Sequence, residues 1–188
     1  MKSILFSSTI LLVFSFTSCI ECIEGVGEVT EERRTVEDYD VLYLNCSANV
    51  TVRQVGSEEL NKIIVRAQEN LLPFIQTQID GKRLVLDVDG CIDPSDMLAI
   101  DVITNGLVKI VHNGSGSMET IGAIKTDDLR INLEGSGSIN AKFKGDELDI
   151  SHNGSGSIIL IGDCNKLDLT LDGSGEVNAL EMKANEVV

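Results

Sequence analysis

Tryptophan is absent from this 188-residue chain, proline and histidine occur twice each, and aromatic side chains make up only 4% of it. A core of such composition is aliphatic, because the side chains that bury the largest areas are missing. Basic residues are also scarce: 15 Lys and Arg stand against 30 Asp and Glu, a net charge of −15. That charge repels nucleic acid and anionic lipid headgroups, so neither is expected as an electrostatic partner. No apolar run reaches the roughly 20 residues that a membrane-spanning helix needs. The chain has instead 17 glycines and many Val, Ile and Leu, the composition of strands joined by tight turns.

The N-terminus has a pattern of its own. Lys2 precedes an apolar stretch from Ile4 to Phe16, and Thr17-Ser18 place small residues before Cys19. This is the layout of a secretory signal over residues 1–18. A cysteine directly after small residues resembles the lipobox of bacterial lipoproteins. The resemblance implies that Cys19 is acylated and tethers the mature chain to a membrane. Residues 19–37 read as a tether and capping segment, and residues 38–188 as one domain. Cys22, Cys46, Cys91 and Cys164 remain, and an exported compartment permits disulfides. Cys46 with Cys91 is the pair to expect first, since both precede the repeats described next. Isolated buried thiols are the alternative.

The second half of the chain is repetitive. Gly114-Ser115-Gly116-Ser117 recurs as Gly135-Ser136-Gly137-Ser138, Gly154-Ser155-Gly156-Ser157 and Gly173-Ser174-Gly175-Glu176, at spacings of 21, 19 and 19 residues. Ile110, Ile131, Ile150 and Leu169 stand four residues before each first glycine, and Val108, Leu129, Leu148 and Leu167 six before. The intervening positions are largely polar, which is the period-2 alternation of a strand with one buried face. A unit of about 20 residues cannot bury such a face alone and must stack on copies of itself. The expected fold is therefore all-β, a right-handed parallel β-helix with coils of about 19–21 residues, most regular over 107–188. The paired glycines Gly114/Gly116, Gly135/Gly137, Gly154/Gly156 and Gly173/Gly175 form its turn ladder, on the expectation that sharp corners need positive φ. Residues 41–55, 61–67, 75–89 and 97–103 read as further strands, forming the first, less regular coils.

Three features together carry a family resemblance: Tyr39-Asp40-Val41 leading into Asn49-Val50-Thr51-Val52, the segment Glu69-Asn70-Leu71-Leu72-Pro73-Phe74-Ile75, and the four glycine tetrads in order behind it. Over about residues 26–188 the chain resembles the auto-transporter adhesin head GIN domain family, found among lipoproteins and secreted proteins of Bacteroidetes. The resemblance implies a β-helical fold and a cell-surface setting, and brings no catalytic or ligand-binding residues.

Catalytic chemistry is not apparent in the residues. His112 and His152 occupy one repeat position but lie two repeats apart, ~9.6 Å by strand spacing, too far to share a zinc ion. Each is expected to close a strand at its corner with its imidazole hydrogen-bonded there. Cys164 reads as a small inward residue. The column Asn113, Glu134, Asn153, Asp172 offers too few oxygens for calcium. No metal or cofactor is expected. The leading expectation is a non-catalytic outer-membrane lipoprotein, displayed at the cell surface, that offers a binding or adhesion surface to a glycan or protein. The ladder Ser117, Ser138, Ser157 and the outward Ile159 beside Asn140 and Asn178 are candidate contact residues. A periplasmic structural or signalling accessory is the alternative, and a polysaccharide-active enzyme a more remote one.

Overall fold

The computed structural model describes residues 22–94 and 98–188. The signal segment 1–18 and Cys19 lie outside the described residues. Two strands form in the charged segment before residue 38, β1 (Ile23–Glu24) and β2 (Val29–Thr35), and the alternating segments follow as β3 (Val41–Asn45), β4 (Asn49–Gln54) and β5 (Lys62–Gln68). A 3-10 helix, Glu69–Phe74, follows, with Leu71 buried in the core and Pro73 inside it. Then come β6 (Ile75–Asp80), β7 (Arg83–Val88), β8 (Ile92–Asp93) and β9 (Ala99–Thr104). The repeats supply β10 (Lys109–His112), β11 (Ser117–Thr120), β12 (Ile124–Lys125), β13 (Asp128–Leu133), β14 (Ser138–Lys144), β15 (Glu147–Gly154), β16 (Ser157–Gly173) and β17 (Glu176–Val187).

A small two-stranded sheet joins β1 to β8, and a single 15-stranded sheet takes the rest. Its order, β2-β5-β9-β4-β11-β14-β16-β15-β13-β10-β3-β7-β6, turns back at β16. The first part of β16 pairs with β14, Ser157 opposite Ser138. Its second part pairs with β15, Leu167 opposite Leu148. The sheet thus has two legs, with β16 running through both.

The expected right-handed parallel β-helix is not the fold. The chain forms one large mixed sheet that does not close. Three pairings are antiparallel, β2 with β5, β5 with β9, and β6 with β7, and the free strands β2 and β6 end the two legs. The physical reason is that an inward-outward alternation is the same whichever way the neighbouring strand runs. The turns set the direction. At Asp80-Gly81 the chain reverses, with Gly81 at φ 63°, and β7 returns along β6 as a hairpin. Within residues 107–188 the repeats do pair in parallel and in register, Ile110 with Ile131 and Ile131 with Ile150 on one leg, Met118 with Ile139 and Ile139 with Ile158 on the other.

The core is one aliphatic cluster between the legs, in which Leu42, Leu44, Ile110, Ile131 and Ile150 oppose Val50, Met118, Ile139 and Ile158. Phe143 is its one fully buried phenyl ring. Burial of a single such aliphatic side chain contributes about 1.5–3 kcal/mol. Where β2 and β6 end the legs, Arg34 ties them together: its guanidinium donates to the Ile75 carbonyl at 2.5 Å, to the Leu72 carbonyl at 3.2 Å, and to the Glu32 carboxylate.

The disulfide expectation also needs correction. Cys91 is bonded to Cys22, not to Cys46, and this bond pins β1 beside β8. Cys46 is a buried free thiol, as is Cys164. Cys46 is committed elsewhere because it stands in a corner of the stack, directly under Gly114.

Candidate functional site

At one edge of the core every repeat crosses from one leg to the other through its glycine tetrad. Successive corners lie on top of each other. A Cβ on Gly135 would meet the Gly114 backbone, one on Gly154 the Gly135 backbone, and one on Gly173 the Gly154 backbone. The second glycines behave alike, Gly137 against the Gly116 carbonyl and Gly156 against that of Gly137. These glycines are therefore required by close backbone approach. Positive φ, the reason expected from sequence, holds in this ladder only at Gly173, whose φ is 140°.

The stack has a fifth member that sequence comparison of tetrads did not find. Cys46-Ser47-Ala48-Asn49 links β3 to β4 and lies under Gly114-Ser115-Gly116-Ser117. Cys46 and Ala48 stand in it where the later corners have glycine. The signal that could have found it is Ser47, followed by Asn49 at the ladder position and by Val50 restarting the inward alternation.

Small corners leave a groove of about 490 Å³ on the outer face. Two columns of polar side chains line it: Ser47, Ser115, Ser136, Ser155, Ser174, and beside them Asn49, Ser117, Ser138, Ser157, Glu176. At one strand spacing per repeat, the columns extend on the order of 19 Å. The hydroxyls of Ser115, Ser136, Ser155 and Ser174 are exposed and make no hydrogen bond among the described residues, whereas Ser117 donates to the Asn49 side-chain oxygen at 2.7 Å. The floor backbone is occupied from repeat to repeat: Gly137 N–H donates to the Gly114 carbonyl at 3.0 Å, Ser138 to Gly116 at 3.0 Å, Ser157 to Gly137 at 3.2 Å and Glu176 to Gly156 at 3.0 Å. Glu176 is the one ionisable side chain in the lining. The groove is thus a nearly neutral strip on a strongly acidic protein.

Behind the floor lie the two histidines, both buried. His112 meets expectation, its Nε2 3.0 Å from the Gly116 carbonyl. His152 does not: neither of its ring nitrogens has a hydrogen-bond partner among the described residues. They are separated by Leu133 in register, and no cluster of three metal-ligating side chains occurs among the described residues. Cys164 is buried, and burial pushes its thiol up, with the Asp163 charge adding to the effect, the reverse of what a nucleophile requires.

The other candidates flank the groove. Ile159, 43% exposed, sits between Asn140 and Asn178 on the leg that Ser157 opens. The column Lys109, Arg130, Asp149, Asp168 lies on the opposite leg and is internally paired, with Arg130 2.8 Å from Asp149. Asn113, Glu134, Asn153 and Asp172 are exposed at the rim.

Comparison with known proteins agrees with this architecture. Residues 38–188 match the family described as "Putative auto-transporter adhesin, head GIN domain". A solved structure described as a putative adhesin from Bacteroides fragilis is similar, with a TM-score of 0.82 at 20% identity, over 88% of this chain and 77% of that one. Another, from Parabacteroides merdae and likewise described as a putative adhesin, has a TM-score of 0.69 at 21% identity, over 88% and 78%. A third, described as a putative lipid binding protein from Parabacteroides distasonis, has a TM-score of 0.72 at 24% identity, over 89% and 80%. No curated protein matches the chain in sequence.

Proposed function

Because the chain belongs to the auto-transporter adhesin head GIN domain family, we propose that it is a non-catalytic cell-envelope lipoprotein that binds a neutral surface glycan along the serine groove. Acylation at Cys19 holds it on the outer membrane, facing outward. The observation that carries this reading is the pair of polar columns, with exposed hydroxyls repeated at strand spacing.

A hydroxyl both donates and accepts hydrogen bonds, as the hydroxyls of a sugar do, so the two surfaces are complementary in kind. An anionic polymer finds no cation in the lining and meets Glu176. An added peptide strand needs free backbone donors and acceptors, but the corner backbone pairs within the stack. A lipid tail needs an apolar lining, and this lining is serine, glycine, Asn49 and Glu176. The relative described as lipid binding is therefore a poor guide to this groove. Glycoside cleavage generally uses two carboxyl groups about 5–9.5 Å apart, and one carboxylate lines the groove.

The test is an array of neutral and acidic glycans probed with the purified protein. Saturable binding to neutral members, lost on changing Ser136 and Ser155 to alanine, supports the reading; binding that ignores these serines, or no binding, argues against it. Protease treatment of intact cells addresses display: removal of the domain agrees with an outward face, and protection favours a periplasmic accessory role.

A further inference from the structure

We infer that the groove is acid-sensitive at one end, with His152 as the trigger: protonation of this imidazole opens the corner Gly173–Glu176. This rests on the reading of the groove as a binding face for its biological meaning, since Ser174, Gly175 and Glu176 are part of its lining.

The geometry places His152 where a charge is poorly accommodated. Its side chain is fully buried at the end of β15. Its register neighbours are Leu133 of β13 and Leu171 of β16, and its ring lies against Gly175 of the corner, none of them ionisable. The ring fills the slot left by the absent side chain of Gly175, its Nε2 2.5 Å from where a Cβ would stand. No carboxylate forms an ion pair with it among the described residues. Glu134, Asp172 and Glu176, which neighbour these residues in sequence, are exposed.

A neutral imidazole tolerates this site as a flat, largely apolar filler. An imidazolium does not, because it presents two N–H donors and an unpaired buried charge is expensive. The Gly156 carbonyl, equivalent to the Gly116 carbonyl that contacts His112, can accept from one nitrogen. The other has no hydrogen-bond partner among the described residues, so the charged ring needs water. The fourth corner, beside the ring, is open to water: Leu171 is 47% exposed and residues 172–174 are all exposed. That corner is held by Ser174 N–H to the Gly154 carbonyl and Glu176 N–H to the Gly156 carbonyl, both 3.0 Å.

Burial alone holds the His152 value below the ordinary one, about 6.5. The opened form therefore takes up the proton first. The closed corner is fully favoured above about pH 6.5 and loses ground as the pH falls below it, until the closed form is itself protonated.

The experiment is amide hydrogen exchange by mass spectrometry on the whole protein at pH 7.5 and 5.0, corrected for intrinsic rates. The expected result is exchange about tenfold faster at pH 5.0 for residues 174–176, with residues 115–117 unchanged. His152→Leu installs the residue that Leu133 and Leu171 provide in the neighbouring repeats, so the fold has a precedent for it, and the acid effect should disappear. His152→Gln, polar but not titrating, should also remove it and serves if the leucine variant is poorly folded. Equal exchange at the two pH values, or an acid effect that survives both substitutions, overturns the inference. No ligand enters the measurement, so failure of the glycan reading and failure of this one are separate results.

Discussion

Gly135 lies directly on Gly114, close enough that a Cβ on Gly135 would stand 3.1 Å from the Gly114 carbonyl carbon and nearer still to its oxygen. Backbone cannot yield as a flexible side chain can, so Gly135→Ala should destabilise the protein by about 1–3 kcal/mol, the usual cost of overpacking. The check is urea denaturation, with the midpoint lowered and the slope unchanged. Gly56→Ala, where nothing lies within 4 Å, should stay within about 0.5 kcal/mol of the parent.

The bond between Cys22 and Cys91 closes a separation of 69 residues. Loop-closure arguments put the loss on Cys91→Ser at roughly 2–4 kcal/mol. Non-reducing peptide mapping should recover a peptide joining Cys22 to Cys91 and show Cys46 and Cys164 as thiols. A peptide joining Cys46 to Cys91 would contradict the structure.

Asp101 is the best-connected carboxylate between the strands. Burial works to raise its value, but hydrogen bonds from Thr51 at 2.6 Å and Arg66 at 2.7 Å, with the Arg66 and Arg53 charges, hold it below the ordinary aspartate range. A carboxyl lowered in the fold stabilises above its unfolded value, near pH 3.9, and that contribution is lost as the pH falls through the folded value. Asp101→Asn should therefore cost roughly 1–2 kcal/mol at pH 7 and flatten the decline in stability below about pH 4. The measurement is thermal unfolding of both proteins from pH 7 to pH 3.

Much of this was legible in the residues, for identifiable reasons. The aliphatic core, the all-β class and the register of the second half follow from inward residues such as Ile110, Ile131 and Ile150, whose spacing from each tetrad is constant. Pairing direction in the first half was not legible, because Leu84 and Leu86 of β7 alternate alike beside parallel β3 and antiparallel β6. The fifth corner is hidden in the sequence because Cys46 and Ala48 stand where the tetrads have glycine. The disulfide was missed because Cys22 sits in a charged stretch with no strand pattern, and only the pairing of β1 with β8 brings it to Cys91. The groove is half visible in the sequence: Ser117, Ser138 and Ser157 stand out as a ladder, but Ser115, Ser136, Ser155 and Ser174 stand inside the glycine corners, and Ser47 lies within the segment 41–55 that reads as one strand.

Ser136→Ala and Ser155→Ala, singly or together, remove hydroxyls that no described residue uses. Stability should change by less than about 0.5 kcal/mol. Binding of a neutral glycan should weaken about tenfold or more for the pair, which corresponds to about 1.4 kcal/mol. Isothermal titration alongside urea denaturation separates the two effects.

The central claim is that ligands meet this protein along the serine columns, and amide shift mapping by NMR during titration with neutral linear oligosaccharides tests it most directly. The account predicts saturable shifts at Ser115, Ser136, Ser155 and Ser174 and at the glycines between them, with the opposite leg around Arg130 and Asp149 silent. Saturable shifts on that opposite leg with the serine corners silent, or no shift with any oligosaccharide, would contradict it.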